Sequence, residues 1–188
     1  MLVNQRRDEM SCSSSEPHAL GAGYRSLRGQ FFKQARGRKY GWPQRPRNRR
    51  PPHVVASHLF LTDGGKILFL KRRNTGYFDG FYSVPAGHVE EGETAAQAMI
   101  REAREELGIT LRALEFAYVM HRFEGHYRVD FFFKALDYEG VPVNAEPEKA
   151  EHLAYFRPDS LPDNVVPYVR KAVIEHFLYG KTYGEFFL

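Results

Sequence analysis

Cysteine is all but absent from this chain of 188 residues, where Cys12 stands alone. One thiol makes neither an intramolecular disulfide framework nor a cysteine-rich zinc site, so a reducing compartment suits it best. Long apolar runs are missing too. No stretch approaches the ~18 consecutive apolar residues of a membrane helix, and the N-terminus lacks the apolar block of a secretory signal. The chain therefore reads as soluble and cytoplasmic, with no membrane partner. Internal repeats are not apparent, and no acidic residue occurs between Glu16 and Asp63.

That last absence divides the chain by charge. Residues 1–50 hold twelve Lys/Arg against three Asp/Glu, a balance of +9 inside a net charge of +4, which leaves −5 for residues 51–188. A basic balance points to phosphate-rich partners, but here the inference attaches to the leader alone. Residues 1–52, with "SCSSSEPHALGAG" and "RGRKYGWPQRPRNRRPP", lack periodic apolar residues and read as a disordered basic arm. Such an arm is a nucleic-acid-binding or targeting segment, a solvated tail, or translated upstream codons. The remainder, rich in the chain's fifteen Phe and eleven Tyr, has the material for one ordinary domain over residues 53–188.

Within that domain "HVVASHLFLT" and "KILFLKRR" are β-rich runs around a "DGG" turn, the chemistry of a hairpin. "NTGYFDGFYSVPAG" is a glycine-punctuated loop ending in an extended piece near Tyr82 to Val84. Thr94 to Leu107 has a helix start signal before it and Gly108 as its stop. "RALEFAYVMHRF" and "YRVDFFFKALD" read as strands around "EGH", "HLAYF" as a further strand, and "VVPYVRKAVIEHFLYG" as a closing amphipathic helix. Strands on both sides of one helix, closed by a second, predict an α/β layered domain and not the strict alternation of a doubly wound nucleotide fold.

The middle helix carries the chemistry. At about 100° per residue Glu102, Glu105 and Glu106 fall within an arc of roughly 100° on one face. On a solvated helix such residues alternate with Lys or Arg, yet only Glu105 has that support, from Arg101. The apolar positions Ala96, Ile100, Ala103 and Leu107 adjoin the acidic ones, so the carboxylates begin beside the core. Carboxylates gathered there need a counter-ion, and hard oxygens favour Mg²⁺ or Mn²⁺. Arg101 can neutralise part of the cluster, with Glu93 as its partner.

The stretch from Gly87 to Ile109, "GHVEEGETAAQAMIREAREELGI", resembles the Nudix box: Gly87, Glu93, Arg101, Glu102, Ala103, Glu105, Glu106, Gly108 and Ile109 all fall in place. Ala103 alone is smaller than the pattern's bulky aliphatic. A looser likeness covers residues 53 to 180. The resemblance implies a Nudix-type α/β/α sandwich with a mixed sheet. It also implies a metal-dependent hydrolase that splits a nucleoside diphosphate linked to a group X into a nucleoside monophosphate and phosphate-X, with nucleoside triphosphates ahead of nucleotide sugars as substrates. Expected metal ligands are Gly87, through its carbonyl, with Glu102, Glu105 and Glu106. Arg101 and Glu93 would serve the catalytic cluster, and the general base would be Glu105 or a post-box acid, with Glu148 and then Glu151 favoured over Glu146. Similar members place a basic residue at Arg73, a candidate phosphate contact; Tyr82, among Tyr77, Phe81 and Phe123, is a candidate platform for a base. Accessory signatures of the NADH and coenzyme A subfamilies are absent. The rival reading is a nucleotide sensor of the same fold without turnover.

Overall fold

A computed structural model describes residues 51–187. The basic leader expected over 1–52 thus lies, up to Arg50, outside the described residues. In chain order the elements are β1 (His53–Phe60), β2 (Thr62–Asp63), β3 (Lys66–Arg72), β4 (Tyr82–Ser83), β5 (Ala86–His88), α1 (Ala95–Leu107), β6 (Thr110–Phe123), β7 (Tyr127–Glu139), β8 (Ala150–Phe156), α2 (Pro167–Phe177) and β9 (Tyr183–Phe187).

Two sheets form. The first has the order β5-β1-β7-β6-β9 and is mixed: β1 runs parallel to β7 and β6 to β9, while the other pairs are antiparallel. In the second, β3 pairs antiparallel with β2, β4 and β8. The "DGG" turn forms as expected, with Gly64 at φ +53° and Gly65 at φ +76°, a backbone that side chains resist. It joins β3 only to the two-residue β2, however. β1 takes its partners from β5 and β7 instead, so the expected long hairpin is a crossing from one sheet to the other.

The apolar runs of β1 and β3 explain why both faces of the strands are covered. Side chains alternate across a strand. Leu59, Leu68 and Leu70 pack with Met99, Ala103 and Leu107 of α1, whereas Phe60, Ile67 and Phe69 pack with Val169, Ala172 and Val173 of α2. Each fully buried side chain of this kind contributes ~1.5–3 kcal/mol. The layered α/β architecture follows from this two-sided burial. β9 was not anticipated; it holds the sheet edge by pairing Val119 to Phe123 with Tyr183 to Phe187. Among the described residues no helix is long and apolar enough to cross a membrane.

Local signals set the limits of α1. Thr94 caps it: the Thr94 hydroxyl accepts from the Gln97 backbone N–H at 3.2 Å and the Gln97 side-chain Oε1 accepts from the Thr94 backbone N–H at 2.8 Å. At the other end Gly108, at φ +66°, donates its N–H to the Arg104 carbonyl at 3.0 Å, and the Ile109 N–H donates to the Ala103 carbonyl at 3.4 Å. Removing the cap with Thr94→Ala should lower the unfolding free energy by ~1 kcal/mol. Urea unfolding of the full chain checks this, and an unchanged midpoint would contradict it.

Candidate active site

Helix α1 faces the core through Met99, Ala103 and Leu107, and two of its glutamates flank that stripe. The Glu106 carboxylate accepts the Ala86 N–H at 2.9 Å, which ties α1 to the start of β5. The next residue is Gly87, and a Cβ there would overlap the Glu102 carboxylate. Glycine is therefore what lets β5 pass so close to the helix. Gly87, Glu102 and Glu106 all border one cavity of about 580 Å³.

Arg101 organises the surrounding charges. Its Nη2 donates to Glu93 Oε1 at 2.8 Å and to the His88 carbonyl at 3.0 Å. Its Nη1 donates to Glu102 Oε1 at 2.7 Å and to Glu105 Oε2 at 3.2 Å. Glu93 anchors this fan and in turn accepts the Glu90 N–H at 2.7 Å. Bonded to Arg101, Glu93 is held below the usual carboxylate range. Burial pushes Glu102 up, against the pull of Arg101. Burial first, and then the charge of Glu102, push Glu106 up to about 8. Glu105 differs from both: half of its side chain is exposed, it bonds to Arg101, and it does not border the cavity. Among the described residues, no three His, Cys, Asp or Glu side chains stand converged as a coordination group, since Arg101 engages Glu93, Glu102 and Glu105.

The structure redistributes several candidates outside the box. Arg73 is exposed and outside the cavity wall, whereas Arg72 borders it. Strand alternation accounts for this: Leu70 and Arg72 share a face, and Lys71 bonds Glu151 on β8 at 2.9 Å. Tyr82 also lies off the cavity. Its backbone N–H donates to the Asn164 carbonyl at 2.7 Å, its carbonyl accepts the Val166 N–H at 2.9 Å, and its hydroxyl is 3.0 Å from His152 Nε2, so it secures the approach to α2. Of the four aromatic candidates, Tyr77 alone borders the cavity. Of the post-box acids, Glu148 is exposed and off the cavity, Glu151 is taken by Lys71, and Glu146 faces it, bonded to Lys149 at 2.7 Å.

Sequence reasoning missed a group carried by β1, β6 and β7. Arg122 is 1% exposed, His58 2% and Asp130 fully buried. Asp130 pairs with Arg122, and its Oδ1 lies 3.3 Å from His58 Nε2 and 3.7 Å from Arg128 Nε. A signal was present: each lies within a β-run that is otherwise largely apolar, where burial demands a partner.

The family model for the NUDIX domain matches residues 51–177. A protein of Stutzerimonas stutzeri named NAD-capped RNA hydrolase NudC is 31% identical over 111 residues, 59% of this chain and 39% of that protein. An ADP-ribose pyrophosphatase of Methanocaldococcus jannaschii is 48% identical over 56 residues, 30% of this chain and 32% of that protein. A crystal structure of a MutT NUDIX hydrolase from Burkholderia pseudomallei superposes with a TM-score of 0.61 at 28% identity, covering 65% of this chain and 97% of that one. The chain spans about two fifths of the length of the NudC proteins that it matches.

The Glu106 carboxyl yields a prediction for the metal-free chain. Its folded value of about 8 stands above the ordinary 4.5, so the folded chain keeps a proton that the unfolded chain has released. Stability from this source is complete below about pH 4.5 and is lost as pH rises through about 8. In the presence of a chelator, the Tm of the parent should fall relative to that of Glu106→Gln between pH 5 and pH 8.5. A difference in Tm that stays constant across that range would contradict the assignment.

Proposed function

The chain belongs to the Nudix family, and on that premise we propose that it is a metal-dependent pyrophosphohydrolase. It splits a nucleoside diphosphate linked to a group X into a nucleoside monophosphate and phosphate-X. One observation carries this reading: Glu102, Glu106 and Glu146 border a single cavity together with the cations Arg72 and Lys149. Charges of both signs in one cleft suit a diphosphate that arrives with a divalent cation.

The donor set fits such a cation. Glu102 and Glu106 are carboxylates in part removed from water; the charges of Glu102 and Glu146 work against ionisation of Glu106, and those of Glu105 and Glu146 against that of Glu102, so a bound cation would offset that repulsion. Hard oxygen donors favour Mg²⁺ or Mn²⁺. Glu102 and Glu106 would hold it, with the Gly87 carbonyl as a further oxygen and Glu105 as an outer charge. Bound there, the ion supplies charge neutralisation of the diphosphate and a water of lowered pKa.

The protein's own residues supply the rest. Arg101 fixes the rotamer of Glu102 through its 2.7 Å hydrogen bond, and Glu93 fixes Arg101 in turn. Arg72 is placed to bind phosphate; its Nε and Nη2 are braced by the Tyr77 carbonyl at 2.8 Å and the Thr75 hydroxyl at 3.0 Å. For the proton of the attacking water, Glu146 takes the place that the sequence assigned to Glu105 or Glu148, because it is the post-box acid on the cavity. The relatives named as an NAD-capped RNA hydrolase and an ADP-ribose pyrophosphatase support X-linked nucleoside diphosphates beside nucleoside triphosphates as the substrate class.

Incubating the full chain and Mg²⁺ with nucleoside triphosphates, nucleotide sugars and dinucleotides tests this reading by release of a nucleoside monophosphate. Glu106→Gln and Glu146→Gln should each lower kcat/KM by ~10²-fold or more, and Glu148→Gln by less than about threefold. Binding of nucleotides with no product from any member of the panel would replace the hydrolase by a sensor.

A further inference from the structure

The arginines and the lysine on the cavity wall are not equally free to meet a ligand. Arg122 pairs with Asp130 and Glu124, Arg128 with Asp130, and Lys149 with Glu146. Arg72 differs from all three. Its guanidinium is held by neutral groups, with Nε donating to the Tyr77 carbonyl at 2.8 Å and Nη2 to the Thr75 hydroxyl at 3.0 Å, and among the described residues it forms no salt bridge. Its charge therefore stays unspent beside the glutamates.

Both acceptors come from the loop between β3 and β4. Two backbone bonds close its base, from the Gly80 N–H to the Arg72 carbonyl at 2.8 Å and from the Arg72 N–H to the Phe81 carbonyl at 2.9 Å. Phe78 stands at φ +48°, a backbone that a bulky side chain resists, and packing of its ring against the α2-side core keeps it there. Inside the loop one carboxylate collects the donors. Asp79 Oδ1 accepts the Thr75 N–H at 3.0 Å and the Thr75 hydroxyl at 2.7 Å, while Oδ2 accepts the Gly76 N–H at 3.1 Å. These bonds, those from Thr75 foremost, hold the Asp79 carboxyl below the usual carboxylate range.

The Thr75 hydroxyl has one proton and two lone pairs. Asp79 Oδ1 at 2.7 Å and the Tyr77 carbonyl at 3.0 Å are both in reach of the proton, and the nearer, charged oxygen takes it. The lone pairs are then turned to Arg72 Nη2 and to the Tyr77 N–H at 3.3 Å, and the Tyr77 carbonyl is left to Arg72 Nε. One anion thus sets both acceptors of the guanidinium without pairing with it.

We propose that Asp79 is a positioning residue for Arg72, which it fixes on the cavity wall through Thr75 while leaving the guanidinium charge for a ligand phosphate. The proposal rests on the hydrolase reading in taking a diphosphate as the ligand, so its test measures binding apart from turnover. Asp79 is exposed, and its replacement opens no cavity in the core.

The probe is imidodiphosphate, whose P–N–P link resists hydrolysis, titrated with Mg²⁺ into the full chain and followed by calorimetry. Arg72→Gln should weaken its binding ~10-fold or more, as for loss of a charged hydrogen bond, and Asp79→Ala ~5-fold. In the Arg72→Gln background Asp79→Ala should change binding less than about twofold, because its effect passes through Arg72. Thr75→Val should behave as Asp79→Ala does, whereas Thr75→Ser, which keeps the hydroxyl, should bind within about twofold of the parent. Unchanged binding in Asp79→Ala, a loss of the same size with and without Arg72, or binding indifferent to Arg72 would each overturn the proposal, even in a chain that releases monophosphate. The expected coupling in a chain that releases none would uphold Asp79 as a positioning residue and remove the hydrolase reading.

Discussion

A single guanidinium holds the candidate site together. Arg101 reaches backward to Glu93 in the loop before α1, sideways to the carbonyl of His88 at the end of β5, and along its own helix to Glu102 and Glu105. Without it, acidic side chains three and four residues apart would repel one another beside an apolar stripe. With it, the loop, the strand and the helix become one unit joined by charge-assisted hydrogen bonds. The contact of Gly87 with Glu102 and the bond from Ala86 to Glu106 both lie within that unit. Its geometry leaves Glu102 and Glu106 on the cavity and turns Glu105 outward.

The cavity itself arises from a change of residue type along strands that otherwise make core. On β1 one face passes from Phe60 through His58 to Ala56; on β7 it passes from Phe132 through Asp130 to Arg128; on β6 Met120 gives way to Arg122. These strands are in register, with His58 beside Phe132 and Arg122 beside Arg128. The α2-side core therefore ends in step on three strands, and a buried polar group begins where it stops. Such a group is tolerated because its charges are paired internally. That pairing makes it a different environment from the acidic side, although both border the same space.

The cleft thus has two electrical characters. On the acidic side Glu102, Glu106 and Glu146 stand with Arg72 and Lys149. On the other side the guanidinium groups of Arg122 and Arg128 are paired with Asp130 and Glu124. The first combines the box residues Glu102 and Glu106 with Arg72, Glu146 and Lys149 from outside the box. The second rests on His58, Arg122, Arg128 and Asp130, none of which belongs to the box.

What the linear chain determined by itself was the local chemistry. The start signal of the middle helix, the stop at Gly108, the arc of glutamates and the strand pair around "EGH" all depend on residues within a few positions of one another, and short-range geometry dictates them. The partnership of Arg101 with Glu93 was readable for the same reason. The tertiary structure decided which side chains share a volume. Whether Arg72 or Arg73 meets the cavity depends on the face that β3 turns inward, and whether Glu146 or Glu148 reaches it depends on how a loop closes over a strand. The buried group of His58, Arg122 and Asp130 unites residues from strands adjacent in the sheet but as many as 72 positions apart in the chain. No spacing rule reaches that far, since contacts of that range are set by sheet register and by the requirement that buried charges find partners.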